Sequence, residues 1–124
     1  MPELNRPLTG LALAWTLGLG TACATPPPAT PAATPVAVVK SLGHRQCEDG
    51  GATPASLGQA LRAGGVQVLV EACAHDGRMR PAVCGAPDGV MAWFEIPADQ
   101  LAQAQALGYV TAASLPDLRR QPCR

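Results

Sequence analysis

Residues 90–107 read VMAWFEIPADQLAQAQAL and hold the two clearest elements of the chain. Along residues 90–96 two sets of side chains alternate, which predicts a strand. One face of this strand carries Val90, Ala92, Phe94 and Ile96, and the opposite face carries Met91, Trp93 and Glu95. Pro97 then begins a predicted helix that runs to about Leu107, because apolar residues recur there at helical spacing before Gly108.

A second helix and strand are predicted before this stretch. Thr53 is typical of a helix cap, Pro54 of a first helical turn, and Gly64-Gly65 of a helix end. Residues 66–73 alternate as in a strand, with Val66, Val68, Val70 and Ala72 on one face.

Two weaker strands complete the predicted domain. Residues 78–84 fit an edge strand, because Pro81 has no N–H for a central ladder. Residues 109–113 fit a last short strand. This order of elements predicts a small α+β domain over residues 36–124, with two short helices packed on a three- or four-stranded, mainly antiparallel sheet.

The overall charge excludes one class of partner. The 124 residues include 9 Lys and Arg and 9 Asp and Glu, so the formal net charge is zero. A neutral chain offers no broad basic surface to a phosphate backbone, so we expect no nucleic-acid partner.

The first 35 residues differ in composition from the rest. Residues 1–7 are polar and include Arg6, and residues 8–19 carry no charge. Such a short apolar core is typical of a signal peptide, here 1–22, and is shorter than the ~20 residues that span a bilayer. Residues 24–35 read ATPPPATPAATP, which has no large apolar group to bury. Residues 23–35 are therefore predicted to be a cysteine followed by a semi-rigid tether.

Gly20-Thr21-Ala22-Cys23 resembles the lipobox of bacterial lipoproteins, in which small residues precede a cysteine that is lipidated and becomes the new amino terminus. The resemblance implies lipidation at Cys23, and Ala24 implies sorting to the outer membrane, facing the periplasm. Ordinary signal peptidase also fits, because Ala22 and Ala24 satisfy its small-x-small rule. That cleavage would release a soluble periplasmic protein that begins at Thr25.

The four remaining cysteines are an even number: Cys47, Cys73, Cys84 and Cys123. A domain of this size often needs covalent staples, and two disulfides would each contribute about 2–4 kcal/mol. Three pairings are possible. The favoured one joins Cys73 to Cys84 across the predicted hairpin and Cys47 to Cys123 between the domain ends. Cys47–Cys73 with Cys84–Cys123 would serve equally well.

A metal site is the competing use of these residues. The soft or borderline ligands suited to zinc or copper are His44, Cys47, Cys73, His75 and Cys84. The sequence contains no Cys-x-x-Cys, and export would expose the thiols to an oxidising machinery. We therefore predict no metal and no cofactor.

Cys73-Ala74-His75-Asp76 brings together the ingredients of nucleophilic catalysis. Adjacent residues in a turn rarely supply the geometry, since such groups usually meet from distant parts of a chain. The sequence thus predicts a polar turn here, no catalytic residue and no enzyme.

Two surface features are candidates for binding. Met91 and Trp93 would form a contact patch if their face of the strand is exposed, whereas helices on both faces would cover them. Arg119, Arg120 and Arg124 could contact anionic lipid or an envelope polymer, or belong to a solvated tail held by Cys123.

Three segments resemble small lipoproteins of high-GC proteobacteria: Cys84–Gly89, Phe94–Pro97 and Ala104–Tyr109. This resemblance implies the cell envelope and brings no known activity. We expect an exported envelope lipoprotein with a disulfide-stabilised binding or structural domain, held at the membrane by its lipid and free to contact an envelope protein or polymer. The alternative is a soluble periplasmic protein with a metal- or thiol-based activity at Cys73, His75 and Cys84.

Overall fold

The computed structural model describes Gly10, residues 22–27 and residues 34–124. The apolar core of the predicted signal peptide and the middle of the predicted tether lie outside these residues. In chain order the strands and α-helices of the described residues are β1 (Pro35–Ser41), α1 (Pro54–Ala63), β2 (Val70–His75), β3 (Val90–Pro97), α2 (Leu101–Ala106), β4 (Val110–Thr111) and β5 (Arg119–Gln121).

β3 is the central strand of the sheet, whose order in the described part of the chain is β4-β1-β3-β2-β5. Both β1 and β2 run antiparallel to β3, so they are parallel to each other and are joined through α1. β3 and β4 are related in the same way through α2, since both pair antiparallel with β1. This is the split β-α-β arrangement of ferredoxin-like domains, extended by β5. The predicted α+β class is confirmed, with more strands than predicted.

The predicted apolar face of β3 packs against both helices and forms the main core. Phe94 is fully buried there, together with Leu61 from α1 and Ala104 from α2. Gly58 lets α1 approach the sheet, because a Cβ at this position would lie 3.2 Å from a ring carbon of Phe94. The Tyr109 ring meets the Phe94 ring edge to face, with 6.0 Å between centroids.

The opposite face of β3 is also covered, in a smaller second core. Met91 is buried against Val39, Ala74 and Ala112, with Leu118 packed beside them. Met91 therefore does not contribute to an exposed patch, because the chain after β4 folds across this face. Trp93, at the margin of the second core, is half-buried.

Both predicted helices form. Thr53 Oγ1 accepts a hydrogen bond from the Ser56 N–H at 3.0 Å, and Ser56 Oγ accepts one from the Thr53 N–H at 3.0 Å. This reciprocal cap starts α1 where the sequence predicts it. The second predicted helix begins as a 3₁₀ turn at Ala98–Gln100 and continues as α2. Gly108 follows it with a φ of +88°, which glycine adopts readily.

The strand predictions are partly wrong. β2 begins at Val70 rather than at residue 66, because Val66 is drawn into the main core as its N–H bonds the Leu61 carbonyl at the end of α1. Residues 78–84 form no strand. They belong to a loop that folds back, so that Gln46 bonds Gly85 and Ala86 through its backbone.

The last predicted strand, residues 109–113, shortens to β4 and a 3₁₀ turn at Ala112–Ser114. The chain end is not only a solvated tail, because β5 pairs with β2 from Cys73 to His75.

The four domain cysteines form two disulfides, as predicted, but both predicted pairings are wrong. Cys47 is bonded to Cys84, and Cys73 is bonded to Cys123. The hairpin that would place Cys84 beside Cys73 does not form, and the folded-back loop brings Cys84 to Cys47 instead. β5 lies beside β2 and carries Cys123 to Cys73.

Candidate functional site

A cleft of about 550 Å³ opens at the end of the sheet where β1 ends and β3 begins. Its walls come from the loop after β1 with the start of α1, from the second half of β2, from the residues around the start of β3, and from the end of β5 with the chain after it. Apolar surface is supplied by Leu42, Pro54 and Val90, and polar groups by His44, His75, Asp88, Gln121 and Arg124. This volume lies within the ~300–1,000 Å³ of typical small-molecule sites.

Polar residues from distant parts of the sequence meet in the cleft because neighbouring antiparallel strands share an end there. His75 is the last residue of β2 and pairs with Val90, the first residue of β3. Asp88 lies just before β3 and His44 just after β1. The Asp88 N–H donates to the His44 carbonyl at 3.2 Å, which ties the two loops together.

Both ring nitrogens of His75 are used within the fold. Nε2 lies 2.9 Å from the Asp88 carbonyl oxygen, which can only accept, so Nε2 carries the ring hydrogen. Nδ1 then accepts a hydrogen bond from the Gly77 N–H at 3.0 Å. His75 thus holds the end of β2 to the loop before β3 and has no free lone pair for chemistry.

His44 has one nitrogen that no hydrogen bond uses. Nε2 lies 2.9 Å from the Ala52 carbonyl oxygen and is the donor of that bond. Nδ1 lies 3.6 Å from Asp88 Oδ2, which is too long for a hydrogen bond. The other oxygen, Asp88 Oδ1, accepts from the Val90 N–H at 2.9 Å. His44 and Asp88 therefore present a nitrogen and an oxygen to the cleft.

An ion pair fixes the turn that follows β2. The Arg80 guanidinium donates to both carboxylate oxygens of Asp76, and the Arg78 N–H donates to Oδ1 at 3.1 Å. The Arg80 hydrogen bonds, with smaller help from that backbone bond, lower the pKa of Asp76 from 3.8 to about 2. The Asp76 carboxylate therefore stabilises the turn, with both of its oxygens in hydrogen bonds.

We expect Asp76→Asn to lower the free energy of unfolding by about 2 kcal/mol at neutral pH. The folded pKa lies below the unfolded one, so the ionised carboxylate stabilises the fold above pH 3.8, and this contribution is lost as the pH falls towards 2. Urea unfolding at a series of pH values between about 7 and 2 measures the loss. The difference in unfolding free energy between wild type and Asp76→Asn should shrink as the pH falls from 3.8 towards 2. A difference that stays constant with pH would contradict this origin, and the exposed Asp49→Asn provides the control.

The structure does not bring Cys73, His75 and Cys84 together as a thiol or metal site. Cys73 and His75 both line the cleft, but the Cys73 sulfur is bonded to Cys123. Cys84 lies in the other disulfide. In the part of the chain that the structure describes, no group of three or more His, Cys, Asp or Glu residues is arranged to hold a metal.

Sequence reasoning did not single out Asp88 as a candidate site residue. The signal that could have found it is its position directly before the central strand, where antiparallel neighbours end. It also considered His44 only as a candidate metal ligand beside the cysteines, whereas His44 faces a carboxylate.

The comparisons with known proteins give this site no precedent. No family model, curated protein or solved structure matches the chain. The resemblance to small proteobacterial lipoproteins stays a prediction. Among the helices of the described residues, none combines the length and the apolar character that crossing a membrane requires.

Proposed function

We propose that this chain is an exported cell-envelope lipoprotein, anchored through a lipid on Cys23, whose domain binds a small ligand in the cleft. The observation that carries this proposal is the division of the cysteines. Four of them are paired within the domain, whereas Cys23 is exposed and unpaired in the described part of the chain. A cysteine left outside the disulfide framework is what lipidation at this position requires.

The compartment follows from the disulfides. Such bonds form and persist in oxidising surroundings, so the two disulfides indicate an extracytoplasmic location. The proposal also specifies an outer-membrane anchor with the domain in the periplasm. The sequence around Cys23 and the residue Ala24 support this location.

The position of the cleft fits a tethered domain. The chain enters the sheet at Pro35, which pairs with Pro97, whereas the cleft lies at the other end, around the Ser41–Met91 pair. These ends are about 20 Å apart at the usual rise of a strand. A domain held from Pro35 would therefore present the cleft away from its anchor.

Binding is a better use of this cleft than catalysis. Of the polar side chains that line it, His75 has both ring nitrogens in hydrogen bonds, and the Thr53 hydroxyl accepts from the Ser56 N–H. The sulfur of Cys73 is in a disulfide. Among the described residues of the lining, no hydrogen bond joins a hydroxyl or thiol to a base that could activate it. The volume and apolar walls of the cleft suit a small ligand.

The intact mass of the protein from its native membrane fraction tests the anchor. We expect the mass of a chain that begins at Cys23 plus its acyl groups. Alkylation should add nothing before reduction and four groups after it, because only the two disulfides hold further cysteines.

Cys23→Ala is the matched control, since it removes the lipid acceptor and leaves all four domain cysteines in place. This variant should leave the lipid-modified membrane fraction while keeping both disulfides. If the wild-type chain carries no lipid and begins near Thr25, the proposed anchor is wrong and the protein is exported in soluble form. Thiols that react before reduction would contradict the presence of both disulfides in the domain.

A further inference from the structure

Two polar atoms in the cleft, one from His44 and one from Asp88, face each other. His44 Nε2 must carry the ring hydrogen, because its partner 2.9 Å away is the Ala52 carbonyl oxygen. In the neutral ring Nδ1 is then a lone pair, and the atom opposite, 3.6 Å away, is the carboxylate oxygen Asp88 Oδ2. Two acceptors at this separation call for a donor that bonds to both of them.

Asp88 is held in this orientation from several sides. Its Oδ1 accepts from the Val90 N–H at 2.9 Å, and its carbonyl accepts from His75 Nε2 at 2.9 Å. Its own N–H donates to the His44 carbonyl. Turning the carboxylate away would break the bond to Val90, so the facing acceptors are built into the fold. They are also reachable, since the side chains of His44 and Asp88 are 33% and 29% exposed.

We propose that His44 Nδ1 and Asp88 Oδ2 bind the primary ammonium group of a small zwitterionic ligand, a free amino acid or a short peptide with free ends. An ammonium group has three N–H donors and a positive charge, so it can bond to both acceptors and pair with the carboxylate. The proposal rests on the proposed function, in which the cleft binds a small ligand.

The other residues that line the cleft favour a zwitterionic ligand over a simple amine. Leu42, Pro54 and Val90 offer apolar surface for a side chain. The wall formed by the end of β5 and the chain after it carries Gln121 and Arg124, and a guanidinium is well suited to a carboxylate. A ligand with an ammonium group, an apolar side chain and a carboxylate uses all three surfaces.

Three dipeptide probes test these assignments by calorimetric titration of the oxidised full chain. The probes are leucylalanine, its N-acetyl form and its carboxamide, all used at about pH 7.5. We expect leucylalanine to bind and the N-acetyl form to bind about ten- to a hundredfold more weakly, because acetylation removes the charged donor. The carboxamide should also bind more weakly.

Asp88→Asn separates ligand binding from folding. The amide oxygen can keep the bond to the Val90 N–H, and the amide NH₂ then presents a donor to His44 Nδ1 where the carboxylate presents a second acceptor. We expect the variant to melt no lower than wild type at the same pH and to lose leucylalanine affinity about tenfold or more. Asp99→Asn, an exposed substitution at the opposite end of the sheet, is the matched control and should bind as wild type does.

Several results would overturn the ammonium site. Equal affinity for leucylalanine and its N-acetyl form would do so and would leave a small-ligand cleft in place. Stoichiometric binding of Zn²⁺ that Asp88→Asn abolishes would assign the pair to a metal. A lower melting temperature for Asp88→Asn would mean that the Asp88 carboxylate already pairs with His44 in the ligand-free domain. The envelope anchor is tested only by the intact mass, so its failure can be distinguished from failure of the ammonium site.

Discussion

Replacing both Cys73 and Cys123 with alanine is expected to lower the free energy of unfolding by about 4 kcal/mol. The disulfide closes a loop with a sequence separation of 50 residues, and the loss comes mainly from the greater freedom of the unfolded chain. Residues 34–124 are expected to be stable by only about 5–14 kcal/mol, so this is a large fraction. Urea unfolding of the oxidised protein measures it.

The same substitution should also change a defined region of the fold. The disulfide lies next to the Cys73–Gln121 pair, where β5 joins β2, and β5 has only three residues of its own. Hydrogen exchange should therefore become faster in β5, and the wall of the cleft that contains Gln121 and Arg124 should loosen. Removing Cys47 and Cys84 instead should cost a similar energy and leave β5 protected.

Tryptic digestion without reduction checks the pairing on which this prediction depends. Cleavage after arginine, except before Pro81, places the four cysteines on four separate fragments, namely 46–62, 63–78, 79–119 and 121–124. The structure requires 46–62 linked to 79–119 and 63–78 linked to 121–124. Any other linkage would contradict both the prediction and the placement of β5.

The parts of the fold that could be predicted from the sequence are those with local signals. The alternation in residues 90–96 identified the central strand and both of its faces correctly. Thr53 marked the start of α1, because a capping side chain acts within one turn of its helix. Neither signal depends on what the rest of the chain does.

The parts that could not be predicted depend on contacts between distant residues. β5 consists of Arg119, Arg120 and Gln121, which have no apolar pattern, and it forms because β2 offers a free edge and Cys123 meets Cys73. The disulfide pairing failed for the same reason, since it rested on a local hairpin. The long loop before β3 bonds instead to Gln46 and carries Cys84 away from β2.

The cleft shows the same limit at the level of single atoms. The sequence could indicate that His44 and Asp88 are polar residues near strand ends. It could not indicate that Ala52 fixes the tautomer of His44, or that Val90 fixes the orientation of Asp88. The facing acceptors exist only because both bonds form at once.

Phe94→Ala is expected to lower the free energy of unfolding by about 3–5 kcal/mol, the range for removing a large buried side chain. Phe94 lies at the centre of β3 and is fully buried, with the Tyr109 ring at its edge. Gly58 has no side chain that could fill the space left between α1 and the sheet. Urea unfolding measures the loss, and an extrinsic dye that binds exposed apolar surface reports any loosening of the main core.

Leu69→Ala is the matched control, because it also shortens a large apolar side chain but at a position that is 44% exposed. We expect it to cost less than about 1 kcal/mol. A loss of similar size in both variants would mean that the main core does not carry the stability of this domain.

The Phe94→Ala substitution is also expected to leave the folded cleft able to bind its ligand. Phe94 lies in the main core and does not line the cleft, so Phe94→Ala should weaken ligand binding mainly through the fraction of unfolded chain.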